Sequence, residues 1–361
     1  MLVALKEMSQ IGYVPILDLR PAEMVALEEL PEKDKGLMCP LFKLRPWLGS
    51  IELDNSVAKI KEVYGSRPCF LMLCDERVGE TRRKVHDDLD RLRSSTNGFS
   101  AWCDFIEAQG NKQFIPSLQL SDPNQFDLQA ERLVALSRGL VVVIELDLLP
   151  FLSTIVSRAS RLTNQGTDVL FLLDFGRQEA RFLQEKNLII DSIKIISEIA
   201  PNAAISFSAS SFPDLFTTIV SRHIFERQLF NQIRAEIYGR LIYSDRGSAR
   251  AERQAGGGGI PAARIDYATG DDWFFFRDSA STPDRGRAYS EQAQHLIRSP
   301  YWDGRLHLWG TQMIERTAYG DPLAITSPNR STAVRINIHL HQQLFYGDSS
   351  GLTDTEEPWI D

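Results

Sequence analysis

The stretch Thr167–Gly176, TDVLFLLDFG, is a short apolar run that ends on an aspartate and a glycine, and the same kind of unit recurs along the chain. Such a run is too short for a helix and too apolar for a half-exposed strand, so it reads as a strand covered on both faces. In chain order the strand candidates are Tyr13–Leu19, Leu37–Leu44, Pro68–Cys74, Phe114–Leu120, Gly139–Leu146, Asp168–Phe175, Ala203–Ser208 and Gly239–Ser244. Segments with helical spacing lie between them, for example Val57, Ile60 and Val63, or Phe225, Leu229 and Ile233 within Phe216–Ile237. Pro21, and Asp122 followed by Pro123, supply helix starts.

Strands that alternate with helices pair in parallel, because each crossover returns the chain to the same end of the sheet. Eight such units in about 250 residues point to an α/β fold of the (β/α)8 TIM-like barrel type. An open doubly wound sheet is the rival, and it lacks a GxGxxG turn after the first strand. Beyond Asp245 the pattern changes. Four glycines, Gly256–Gly259, read as a loop, and Arg264–Thr269 with Asp272–Arg277 read as a β-hairpin about Gly270-Asp271. Helical spacing returns at Ser290–Ile297 and Trp309–Ala318. Ser331–Phe345 is either a helix or a strand with Asn337, His339 and His341 on one side. The expected division is a barrel over 1–250, a hairpin-plus-helix elaboration over 251–346, and a flexible acidic tail over 347–361.

The formal net charge of −8 argues against a broadly basic nucleic-acid surface. The start, MLVALKEMSQ, lacks a signal-peptide pattern, and no apolar run reaches the ~20 residues of a membrane span. A cytoplasmic protein is the expectation, with Cys39, Cys69, Cys74 and Cys103 as reduced core thiols.

Several pieces are similar to the Beta protein family of satellite phages, prophages and bacterial mobile islands. They are YVPIL at Tyr13–Leu17, CPLFKL at Cys39–Leu44, SSFP at Ser210–Pro213, YSD at Tyr243–Asp245, the hairpin, LWG at Leu308–Gly310 and INIHLH at Ile336–His341. The chain departs from the family at Lys43, where a glutamate is usual, and at Thr311, where an aspartate is usual. The resemblance implies a role in phage defence or toxin control, as a sensing, binding or effector-regulating protein with a protein partner encoded in the same locus.

In a barrel the functional groups gather at the carboxyl ends of the strands. Those ends carry Arg20; Lys43 and Arg45; Asp75; Gln119; Glu145 and Asp147; Asp174; Ser208, Ser210 and Ser211; then Tyr243 and Asp245. Glu145, Asp147, Asp174 and Asp245 are the candidate catalytic carboxylates, whose hard oxygens would suit a divalent metal such as Mg²⁺. Arg20, Lys43 and Arg45 would face them and hold a phosphate-bearing ligand. Tyr243, Arg277, Asn337 and His339 complete the candidate ligand-binding set. Carboxylates, cations and a metal are the parts of a phosphodiester hydrolase, the alternative to a binding protein. The bland readings stand beside these. Asp147 and Asp174 sit where helix caps sit, and Glu145 can pair with an arginine. Ser210–Pro213 can start a helix, and Trp273–Phe276 can be core. The charges of Glu80–Arg93 suit a solvated helix face.

Overall fold

The computed structural model describes residues 11–74, 82–110, 113–216, 218–237, 239–249, 261–278 and 284–355. Asp75, Glu80 and Gly256–Gly259 lie outside the described residues. Strands and helices alternate as the apolar spacing requires. β1 (Ile16–Asp18) is followed by α1 (Pro21–Glu28) and α2 (Glu32–Leu37), then β2 (Leu41–Leu44) and α3 (Asp54–Tyr64). β3 (Cys69–Leu73) leads to α4 (Lys84–Arg93) and α5 (Thr96–Ala108); β4 (Phe114–Pro116) leads to α6 (Phe126–Ala135). β5 (Leu140–Glu145), α7 (Leu152–Leu162), β6 (Val169–Arg177), α8 (Lys186–Ile199) and β7 (Ala204–Ser210) come next. After them run β8 (Ser221–His223), α9 (Phe225–Arg234) and β9 (Leu241–Tyr243). The hairpin strands are β10 (Arg264–Ala268) and β11 (Asp272–Arg277), and the chain closes with α10 (Arg285–Ile297), α11 (Trp309–Ala318), α12 (Pro328–Leu344) and α13 (Ser349–Thr353).

The strands form two four-stranded parallel sheets, ordered β1-β2-β3-β4 and β5-β6-β7-β9, and one antiparallel sheet, β10-β11-β8. Single parallel bridges join the edges of the two parallel sheets, Ser117 to Val141 and Tyr13 to Tyr243. Backbone hydrogen bonds accompany them: Leu118 N donates to Val141 O at 3.0 Å, and Val14 N donates to Tyr243 O at 2.9 Å. Alternate residues of both parallel sheets share one apolar cluster, among them Ile16, Leu41, Phe70, Ile115, Val141 and Leu170. The opposite faces pack on helices, with Leu17, Phe42, Leu71 and Phe171 meeting Val57, Ile60 and Ile193. A separate cluster joins the hairpin to α10 and α11 through Ile265, Trp273, Tyr289 and Ile314.

α12 lies between these two groups. Ala333, Ile336 and Leu340 pack with the sheet–helix cluster, whereas Val334 and Ile338 pack with the hairpin cluster. Twelve of its 17 residues are buried. A helix covered on nearly every side has no polar stripe, which is why its sequence also suited a strand. The helix expected over Phe216–Ile237 is shorter. Ser221–His223 instead form β8, because the free edge of β11 offers them pairing at Arg222–Trp273. The hairpin forms about Gly270-Asp271, with Trp273 and Phe275 buried and Phe274 and Phe276 partly covered. The acidic tail begins with α13, whose Asp348 side chain caps the amides of Ser350 and Gly351; residues 356–361 lie outside the described residues. The four cysteines are buried free thiols. Among the described residues, no helix is long and apolar enough to cross a membrane.

Candidate functional site

Strand alternation decides which side chains meet at the carboxyl ends of the strands. Ile16, Leu41, Val143, Leu172, Ala204 and Ile242 belong to the cluster shared by the two sheets. Two residues further along each strand come Asp18, Lys43, Glu145, Asp174, Ser206 and Ser244, on the same face. Asp18 pairs with Lys43 in strand register, and Glu145 with Asp174 and then Ser208.

Asp174 is 3% exposed. Its Oδ2 accepts a hydrogen bond from Arg246 Nη2 at 2.5 Å, and its Oδ1 accepts one from Gly176 N at 3.0 Å. Burial alone would raise its pKa, but the Arg246 and Lys43 charges hold it below the usual carboxylate range. Burial likewise works against a charged Arg246, and Asp174, Asp18 and Glu145 overcome it and raise the guanidinium pKa. Arg246 thus ties this layer together, although only Tyr243 and Asp245 were expected to act from this strand end. The available signal was its spacing, two residues beyond Ser244 and four beyond Ile242.

Asp245 faces the other way, which corrects its expected convergence with Asp174. It accepts hydrogen bonds from Tyr13 Oη at 2.6 Å, Tyr243 Oη at 2.9 Å and Gly247 N at 2.8 Å, and pairs with His339 Nε2 at 2.7 Å. Burial would raise the Asp245 carboxyl, yet His339 and these donors hold it low. Burial and the adjacent carboxylate push the Tyr13 and Tyr243 hydroxyls well above their usual value. Tyr243 stacks on Tyr13 and lies 3.3 Å beneath the Arg227 guanidinium. This fully buried network locks the Tyr13–Tyr243 sheet edge to α12 and has no opening for a substrate. Asn337 is structural in the same way, donating to Ala26 O and accepting from Gly310 N, each at 3.0 Å. His341 points elsewhere, to Asp34 at 2.7 Å, as residues two apart on a helix must. Arg277 is exposed at the end of β11, in register with Arg264.

The expected four-carboxylate centre does not assemble. Asp174 is taken by Arg246 and Asp245 by His339 and two tyrosines. Glu145 and Asp147 line a cavity of about 250 Å³ with Arg93 and Gln119. Among the described residues, no three His, Cys, Asp or Glu side chains are arranged to hold a metal ion. The donor set therefore does not fit the divalent metal that a hydrolase would require. Ser210 donates to Ala249 O, and Ser211 Oγ bonds the buried Glu226 while accepting from Phe225 N, the first residue of α9. Thr311, where the family usually has aspartate, donates to Leu306 O and accepts from Leu308 N at the start of α11.

The larger cavity, about 610 Å³, opens between the ends of β1 and β2, the first turn of α12 and the hairpin. Four arginines line it: Arg20, Arg45, Arg264 and Arg335. Arg20 and Arg45 reach Asp18 at 2.8 and 3.3 Å; Arg264 and Arg335 reach Asp266 at 2.7 and 2.6 Å. These pairs hold the guanidinium planes in place, and Phe212 and Phe216 stack on the latter two. Glu23 also lines the cavity, its carboxyl accepting the Asp18 amide at 2.5 Å. Burial, then the Asp18 charge, push its pKa to about 8, so it carries a proton at neutral pH. Arginine therefore outnumbers carboxylate here, and the positive end of the α12 dipole adds to the excess. Arg20 and Arg45 were legible as strand-end cations. Arg264, Arg335 and Glu23 were not, since helices and a hairpin bring them in from elsewhere in the chain.

Comparison with known proteins adds a family. The model of the Beta protein family matches residues 13–345. Protein beta of Enterobacteria phage P4 is 28% identical over 347 residues, covering 92% of this chain and 93% of the phage protein.

Proposed function

Since this chain belongs to the Beta protein family, we propose that it is a sensing or effector-regulating component of a phage- or mobile-element-encoded defence system, and that it acts by binding a phosphate-bearing ligand. The observation that carries the binding role is the arginine-lined cavity of about 610 Å³. Its size is that of small-molecule sites, and fixed guanidinium forks match phosphate oxygens. The phage relative supports the setting.

The architecture we propose around it is a (β/α)8 barrel over 1–250, with 251–346 elaborating its carboxyl end and 347–361 forming the acidic tail. Support comes from eight parallel strands in two sheets whose edges are bridged at Ser117–Val141 and Tyr13–Tyr243, and from one apolar cluster shared by both sheets. Ligands of such barrels collect at the strand carboxyl ends. A cytoplasmic setting and a protein partner encoded in the same locus belong to this reading.

Inorganic phosphate is expected to raise the melting temperature of the full chain, because a ligand that binds only the folded state stabilises it. Arg45→Gln is expected to weaken that binding about tenfold, the value of one lost charge-assisted hydrogen bond. The same variant, placed in a host carrying the whole locus, is expected to restore phage plaques. Full protection by a folded Arg45→Gln chain would separate the cavity from defence.

A further inference from the structure

We infer that the ligand of the arginine cavity is a small molecule with two separate phosphate groups, one held by Arg20 and Arg45 and the other by Arg264 and Arg335. This rests on the proposed binding role and names the class of ligand. All four arginines line the one cavity. The two pairs are built alike. Arg20 and Arg45 share Asp18, at 2.8 and 3.3 Å, and Arg264 and Arg335 share Asp266, at 2.7 and 2.6 Å. Two guanidiniums on one carboxylate leave each trio a positive charge, and the carboxylate sets the direction of both forks.

The trios stand on different walls. Arg20 and Arg45 follow β1 and β2, beside Leu19 and Trp47 of the sheet–helix cluster. Arg264 begins β10 and Arg335 lies on α12; their guanidiniums stack on Phe216 and Phe212 of the hairpin cluster, 3.4 and 4.0 Å from the ring centres. The charges acting on two other lining side chains divide in the same way. After burial, Glu23 responds to Asp18, Arg20 and Arg45, and Tyr289 to Arg285, Arg264 and Asp266. Much of the remaining lining is apolar, including Pro21, Pro46, Leu48, Pro261 and Ile336, which suits a carbon framework joining the phosphates.

One inorganic phosphate would neutralise one trio and leave most of the 610 Å³ unused. A second phosphate on the same molecule reaches its trio as an intramolecular event, so its contacts add directly to affinity. The two ends also differ in access. The Arg20 and Arg45 side chains are 31% and 15% exposed, against 23% and 5% for Arg264 and Arg335. A lone phosphate therefore settles at the Arg20–Arg45 end, and the Arg264–Arg335 end is the one that tells a bisphosphate from a monophosphate.

Calorimetric titration of the full chain at pH 6.5, where Glu23 is protonated, tests this with inorganic phosphate, pyrophosphate, glucose 6-phosphate, fructose 1,6-bisphosphate and adenosine 3′,5′-bisphosphate. At least one of the two bisphosphates is expected to bind about tenfold tighter than glucose 6-phosphate and pyrophosphate, the value of a further charge-assisted hydrogen bond. Arg264→Gln is expected to remove that advantage while leaving inorganic phosphate binding within about twofold of wild type, whereas Arg45→Gln weakens both. If Arg264→Gln melts early, the ligand series on the unaltered chain decides. Pyrophosphate binding as tightly as the bisphosphates, no gain of either bisphosphate over glucose 6-phosphate, or an advantage that survives in a folded Arg264→Gln chain would overturn the inference while leaving the binding role standing. Absence of binding by every anion would overturn the binding role as well.

Discussion

Glu23 carries a proton at neutral pH although Arg20 and Arg45 stand beside it, because its burial and the Asp18 charge outweigh their attraction. Its pKa rises from 4.5 to about 8 on folding, and burial raises that of Glu226 to about 7. Between these limits the folded chain holds protons that the unfolded chain has released. Each such group therefore stabilises fully below the unfolded value and loses that contribution as pH climbs through the folded one, at up to about 1.4 kcal/mol per pH unit. Asp174 and Asp245, whose pKa values are lowered, act in the opposite sense and in a different window, losing stability only as pH falls below the ordinary carboxylate range. Wild-type stability is thus expected to decline from about pH 5 to pH 8, and Glu23→Gln is expected to flatten the decline. Urea midpoints at pH 5, 6.5 and 8 measure it; an unchanged slope in Glu23→Gln would remove Glu23 as its source.

At the scale of elements, α12 decides the arrangement of the C-terminal third. It crosses α11 closely enough that a methyl on Gly310 would come within 2.7 Å of Ile338 Cγ1 and 2.9 Å of the Val334 carbonyl. Alanine is favoured over glycine inside a helix by up to about 1 kcal/mol. Here a backbone carbonyl cannot yield, and overpacking costs about 1–3 kcal/mol, so repulsion wins. Gly310→Ala is expected to lower the urea midpoint, more so because Gly310 N donates to Asn337. A midpoint at or above wild type would show that the two helices separate without cost. The same helix explains why part of the site was hidden. Arg335 reaches Asp266 across 69 residues, through contacts between α12 and β10 that no local pattern records. By contrast, Arg20 and Arg45 were visible as cations just beyond strand ends, where a parallel fold collects its functional groups.

At the scale of the molecule, α12 and Trp309 join the sheet–helix cluster to the hairpin cluster. α12 contributes Ile336 to one and Ile338 to another, and Trp309 packs against both. The Tyr13–Asp245–His339 network fastens that helix to a sheet edge. Unfolding is therefore expected as a single transition, with far-UV circular dichroism and tryptophan fluorescence giving the same urea midpoint. Fluorescence changing well before the helical signal would mean that the hairpin cluster melts alone.

The sequence by itself determined the eight parallel strands and the hairpin. Those features follow from periods of 2 and 3.6 residues, which neighbouring residues carry among themselves. It also showed Lys43 and Asp174 as strand-end charges, and the structure turns both to one side. Tertiary structure decided their partners. Arg246 meets Asp174 across 72 residues, and Asp245 turns from that layer to His339. Tertiary structure also made His339 and Asn337 parts of a buried helix rather than a ligand-binding strand. These outcomes depend on which surfaces pack together and on which charges find partners once water is excluded, and neither is written in local spacing.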